Sequence, residues 1–286
     1  MRLIHTADWH LGKHIEGHSR LEEQELFLED FVNIVKERDA DVVLIAGDIY
    51  DSSNPPAKAE QLFYDTLKKI SDGGRRLTIV IAGNHDNPDR LVSATPLAME
   101  HGIIMVGTPK TVIPKGQYGS WKVCRSGEGY IKIERKSEQA VVLTVPFPSE
   151  KRLEEVLHSE MESEEIQLET YNERLRCLFD RLADQFEEET VNIIVSHLFV
   201  MDSLEEGSER SIQLGGSYLA DPDIFPKLAD YVALGIFTDR KVFRDTRIFA
   251  TPVHRSSIGK EKNVTKNRCC VWISERANRL KLSRSN

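Results

Sequence analysis

Three short apolar runs near the start of the chain each break off at a cluster of metal-binding side chains, and no other feature constrains the fold as much. Leu3–Thr6 runs into Ala7-Asp8-Trp9-His10, Asp41–Ala46 into Gly47-Asp48, and Leu77–Ala82 into Gly83-Asn84-His85-Asp86. A fourth run, Val191–Val195, ends in Ser196-His197. Runs that are apolar at nearly every position read as strands covered on both faces. Between them, Ser19 to Arg38 predicts a helix, with Ser19 as N-cap and Leu21, Phe27, Phe31, Ile34 and Val35 near helical spacing. Pro56 to Ile70 predicts a second helix. Strand, polar cluster, helix, strand is the signature of a layered α/β fold. In open α/β sheets ligands gather outside the carboxyl ends of the strands, so the four tips can converge.

The residue types at those tips define the chemistry. Asp8 and His10 are one residue apart, and both can reach one cation. A mixed set of carboxylate, imidazole and amide suits Mn²⁺, Fe or Zn²⁺ better than Ca²⁺. Glycines beside Asp48 and Asn84 let the backbone turn tightly under the ligand. Further on, Ser120–Cys124 and Tyr130–Glu134 alternate as shorter strands, Val141–Val145 is again apolar, and roughly Ser149 to Glu189 reads as an acidic helical stretch.

The 286 residues, 40% hydrophobic and 29% charged, are those of an ordinary soluble globular protein. No apolar run approaches the ~20 residues of a membrane span. Met1–His5 is too short and too soon polar for a signal peptide. Four cysteines without a CxxC pair make a reducing, cytoplasmic setting the expectation.

The order DxH, GDxxD, GNHD, SH resembles the calcineurin-like metallophosphoesterases. The strings MRLIHTADWHLG, LIAGDIYDSSNPP, IAGNHDNPDRL, VPFPSE, IIVSHLFV and FPKLADYVALG are similar to the SbcD branch of nuclease subunits, as far as about Gly235. The fold this implies is an α/β layered β-sandwich flanked by helices. The resemblance assigns Asp8 and His10 to a first metal, Asp48 to a bridge between two metals, and Asn84 and His197 to the second. His85 would be no ligand; it would sit over the scissile phosphate as the catalytic residue. Asp51 and Asp86 read either as carboxylates orienting a histidine or as solvated turn residues. The resemblance further implies two divalent ions, most readily Mn²⁺, a DNA substrate cut at duplex ends and hairpins, and an SbcC-like ATPase partner. It also implies a homodimer within a heterotetramer and a role in DNA repair and recombination.

After the YVALG strand the family shows G-H-x-H, one ligand for each metal, whereas this chain reads Gly235-Ile236-Phe237-Thr238. Back-translation suggests a cause. One C inserted after the Gly235 codon turns GIFTDRK into GHFHRPQ. The same shift downstream permits AHFRYSGSPIEYWQR and ESVLCLD. Residues 1–235 therefore read as a metallophosphoesterase nuclease domain lacking its last motif, and 236–286 as a frameshifted tail with little packed structure after about Arg240. The tail holds 13 Lys/Arg against 4 Asp/Glu, a net +9 in a chain of net −8, which leaves −17 for residues 1–235. That basic excess would also fit a nucleic-acid-binding arm, but the frameshift makes it a by-product. Much of the body's acid lies in Glu150 to Glu189, and bound dications offset the ligand carboxylates, so net charge does not exclude DNA. Two readings compete with the nuclease: a phosphoesterase for non-DNA substrates, and an inactive or binding-only remnant short of one ligand per metal.

Overall fold

The computed structural model describes residues 1–158, 170–200, 219–235, 248–250 and 269–273. Its strands of three or more residues are β1 (Arg2–Thr6), β2 (Val42–Ala46), β3 (Leu77–Ile81), β4 (Ile103–Val106), β5 (Gly116–Tyr118), β6 (Trp121–Gly127), β7 (Tyr130–Arg135), β8 (Glu138–Val145), β9 (Val191–His197), β10 (Tyr231–Gly235), β11 (Ile248–Ala250) and β12 (Cys269–Ile273). The long helices are α1 (Leu21–Glu37), α2 (Ala57–Ser71), α3 (Glu150–His158) and α4 (Tyr171–Ala183). Two main sheets form, one ordered β12-β1-β2-β3-β4 and the other β11-β10-β9-β8-β7-β6-β5, beside two small two-stranded ones. From β1 to β4 the pairing is parallel, as it is from β8 through β9 and β10 to β11.

The apolar strand runs are explained by the layers on either side of them. Leu3, Val42, Leu44, Ala46, Leu77, Ile79 and Ile81 of one sheet meet Ala140, Val142, Ile193, Val195, Tyr231 and Ala233 of the other in a buried core. The alternate residues Ile4, Val43, Ile45 and Val80 pack on Phe27, Phe31, Phe63 and Leu67 of α1 and α2. Val141, Leu143, Ile194, Val232 and Leu234 pack on Leu153, Leu175, Leu178 and Phe179 of α3 and α4. The result is the expected β-sandwich with helices on both outer faces. Period-two alternation carries His197 onto the Ile193/Val195 face, toward the first sheet.

Local details differ from the sequence reading. Ser19 does not cap α1; the N-cap is Arg20, with no side-chain cap bond. Ser19 is instead drawn into a two-residue strand paired with His14. The acidic stretch resolves into α3 and α4, and α4 opens with a capping box between Thr170 and Glu173. In the tail, where little packed structure is expected, β11 pairs with β10 and β12 pairs antiparallel with β1. An edge strand offers unpaired backbone groups, and CCVWI is a run of strand-forming residues. The rest of the tail lies outside the described residues. Among those described, no helix is long and apolar enough to cross a membrane.

Candidate metal centre

The loops that follow β1 and β2 stay zipped past the strand ends. Asp8 N donates to Gly47 O at 3.0 Å, His10 N to Asp48 O at 3.0 Å, and Leu11 N to Ile49 O at 2.9 Å. Asp8, His10 and Asp48 all adopt positive φ, at 57°, 46° and 51°. That conformation is costly for residues with a Cβ and collects at functional sites. It turns Asp8 and His10 to one side and Trp9 to the other. The Trp9 indole is buried against Phe31 and Phe63 and donates to Thr6 Oγ1 at 3.0 Å. Ligand atoms of Asp8, His10 and Asp48 lie within 4.8 Å of one another, and so do those of His10, Asp51 and His85.

Asp48 sits at the centre. Its Oδ2 lies 3.7 Å from His10 Nε2 and 3.9 Å from His85 Nε2, and its Oδ1 lies 3.3 Å from His197 Nε2. Its Oδ1 also accepts the His85 amide at 3.0 Å. His197 donates Nδ1–H to the Ala46 carbonyl at 2.7 Å, which leaves Nε2 aimed at Asn84 Oδ1, 3.1 Å away, and at Asp48. Three lone-pair donors therefore converge at the tips of β2, β3 and β9. Such a set is repulsive until a cation stands between them or a proton sits on His197, and it fits a divalent metal. The six residues singled out in the sequence, Asp8, His10, Asp48, Asn84, His85 and His197, are all brought into this one cluster.

The electrostatics follow from burial and from Asp48. Burial pushes His10 down to about 4, against the pull of Asp48. Burial also works to raise Asp48, but His197, the His85 amide and His10 bring it down to about 2. His197 is fully buried, which lowers its pKa, yet Asp48 and then Asp8 outweigh this and push it up to about 9. Its folded pKa thus lies above the ordinary 6.5, so the stabilisation is complete below pH 6.5 and lost as pH rises through about 9. In chelator-treated protein, urea unfolding should lose about 3 kcal/mol between pH 6 and 10, and His197→Gln should remove that slope. The same slope in both proteins would discard the charged pair.

Several residues of the site have roles that the sequence reading did not assign. Asp86 is neither a solvated turn residue nor an orienter of histidine. It is buried, and its carboxylate accepts from Gly83 N at 2.8 Å, Tyr50 N at 3.0 Å and Ile49 N at 3.2 Å. Burial, then the charge of Asp48, raise its pKa. Asp51 does orient a histidine, but through its backbone: His85 Nδ1–H donates to the Asp51 carbonyl at 2.9 Å. Gly83 serves close approach rather than a tight turn, because a Cβ there would overlap the Asp48 carboxylate. A Cβ at Gly235 would overlap the Ala46 carbonyl and the His197 ring, and Gly235 is paired with His197 across β9 and β10. Gln24 of α1, whose side chain bonds the loop of His10, left one signal in the sequence, a polar residue on the buried face of the helix.

Two sheets whose strand tips gather candidate metal ligands make a scaffold suited to metal-ion chemistry. The chain belongs to the calcineurin-like phosphoesterase family, whose sequence model matches residues 1–198. It is 42% identical over 235 residues to the SbcD subunit of the SbcCD nuclease of Bacillus subtilis (strain 168), a match that covers 82% of this chain and 56% of that protein. The chain thus spans little more than half the length of that relative. A solved structure of a hypothetical protein from Thermus thermophilus matches with TM-score 0.35 and 15% identity, covering 69% of this chain and 57% of that one.

Proposed function

We propose that this chain is the nuclease subunit of an SbcCD-type complex and hydrolyses phosphodiesters in DNA ends and hairpins with two divalent ions, Mn²⁺ foremost. One observation carries the reading. The two oxygens of Asp48 face opposite imidazoles, Oδ2 toward His10 and Oδ1 toward His197. That is the disposition of a carboxylate that serves two cations. Asp8 and His10 complete the first position, and Asn84 and His197 the second. Cations bound there supply Lewis acidity and a hydroxide at neutral pH. The chain's own residues do the rest. His197 and His85 are each fixed by a carbonyl on Nδ1, which presents Nε2 inward. His85, with a side chain 42% exposed, faces the open side where a phosphate arrives. The relative's name, a subunit of SbcCD, supports a second subunit as partner. That this is an SbcC-like ATPase, that the chain forms a homodimer within a heterotetramer, and that it works in the cytoplasm in repair and recombination are proposed with it on the resemblance of the motifs alone. The test is cleavage of linear duplex DNA with Mn²⁺, with Asp48→Asn as control. Turnover of bis(p-nitrophenyl) phosphate without cleavage of DNA would favour a phosphoesterase for other substrates.

We also propose that residues 1–235 form the nuclease domain and that 236–286 are read out of frame. The tip of β10 abuts His197, which is where a further ligand would enter, and the match with the relative is 235 residues long. Without that ligand pair the chain as written is a crippled site or a binding-only remnant. We expect it to bind Mn²⁺ weakly or at one position, and the version with one base restored after the Gly235 codon to bind two. Isothermal titration of both proteins decides this; two tight sites in the chain as written would sink the truncated-site reading. Resequencing across the Tyr231–Lys241 codons separates a sequencing error from a real lesion.

A further inference from the structure

A metal-binding histidine almost always has its second ring nitrogen held by a carbonyl or carboxylate. His197 and His85 have such partners, the carbonyls of Ala46 and Asp51. His10 has none. Its Nδ1 is buried without a hydrogen bond, and the nearest Asp51 carboxylate oxygen stands 3.7 Å away. His10 also sits at φ 46°, a conformation its own side chain disfavours. The placement of this ring therefore depends on the backbone that carries it.

We infer that Gln24 of α1 is a positioning residue, acting on His10 through the backbone. The residue is more than nine-tenths buried, and its side chain lies against the loop. Oε1 accepts from Gly12 N at 3.0 Å, and Nε2 donates to the carbonyls of His10 at 2.7 Å and Trp9 at 3.3 Å. The amide orientation is dictated by its partners, since Gly12 can only donate and the two carbonyls can only accept. One amide therefore spans the loop on both sides of His10. The other flank of the loop is held by the bonds from His10 and Leu11 to Asp48 and Ile49. With both flanks tied, Cα and Cβ of His10 are fixed, which sets the point from which its ring reaches Asp48, 3.7 Å from Nε2. A helix outside the ligand set thus governs the first metal position. The inference rests on the metal-site reading above.

The test is Mn²⁺ binding, followed by titration with electron paramagnetic resonance, in the full chain and in Gln24→Leu, Gln24→Glu, His10→Ala and the double variant His10→Ala/Gln24→Leu. Glutamate keeps volume and acceptor but loses the donor, so it tests the same bonds if leucine fails to fold. We expect each Gln24 variant to weaken, ten- to hundredfold, the same class of Mn²⁺ that His10→Ala removes. Any other class should be unchanged, and the double variant should bind no worse than His10→Ala, because the two act as one unit. Unchanged affinity overturns the inference, as does a loss that adds to that of His10→Ala. Absence of any Mn²⁺ class in the unsubstituted chain overturns the metal-site reading itself.

Discussion

Replacing His85 by alanine in the frame-restored protein should lower DNA cleavage by about 10²- to 10⁴-fold while leaving bound metal in place. The geometry explains the expected split. His85 Nδ1–H is committed to the Asp51 carbonyl, so Nε2 is the nitrogen left for chemistry. That nitrogen is 3.9 Å from Asp48 Oδ2, and the ring lies 4.9 Å from the His10 ring, edge to face. Yet the side chain is 42% exposed, against 14% for His10 and none for His197. A group that serves a cation gains from burial; a group that hands a proton to a leaving oxygen needs access to substrate. The rival is the group of His10, Asp51 and His85, whose ligand atoms also lie within reach of one cation. Metal content separates the two roles. Loss of one bound Mn²⁺ in His85→Ala would make His85 a ligand, and full cleavage would remove it from the mechanism.

Asp86→Ala should destabilise the protein by about 3 kcal/mol and abolish tight metal binding together. Its carboxylate takes three backbone amides, two from the loop after β2 and one from the loop after β3. Removing it leaves three buried donors unpaired, each worth ~1–3 kcal/mol. Water entering the gap and relief of the repulsion with Asp48 return part of that loss. The loops so joined carry Asp48 on one side and Asn84 and His85 on the other, so their separation dismantles the cluster. Asp86→Asn keeps an acceptor but turns an NH₂ toward donors, and should fall between. Urea unfolding and Mn²⁺ titration of the same samples check both effects. An unchanged urea midpoint in Asp86→Ala would deny the clamp.

The candidate ligands were legible because each follows an apolar strand directly. Asp8, Asp48 and Asn84 stand one or two residues beyond a buried run, and His197 closes one, so strand and chemistry are written side by side. The layering was legible for the same reason, since apolarity on both faces of β1, β2, β3 and β9 demands a layer on each side, whereas the pairing of two sheets as a sandwich came from the family resemblance. Asp86 reads in sequence as either an orienter of a histidine or a solvated turn residue, and only packing shows it buried, with its carboxylate tied to the backbone of two loops. Ser19 was misread because its competing strand partner, His14, is set by a hairpin rather than by the helix pattern.

The amino-acid sequence by itself determined which atoms can hold a cation, in what order along the chain, and that they lie at the carboxyl ends of buried strands. Only the tertiary structure decided how those atoms are aimed. His197 is turned by the carbonyl of Ala46, 151 residues away, His85 by that of Asp51, and the loop of His10 by Gln24. Gly83 and Gly235 are glycines because of neighbours from other strands. Ligand identity is a property of a side chain and survives in any conformation. Ligand direction is a property of hydrogen bonds between separate segments, and it exists only once strands, helices and loops have packed together; for His197 that means the closing of the two sheets on each other.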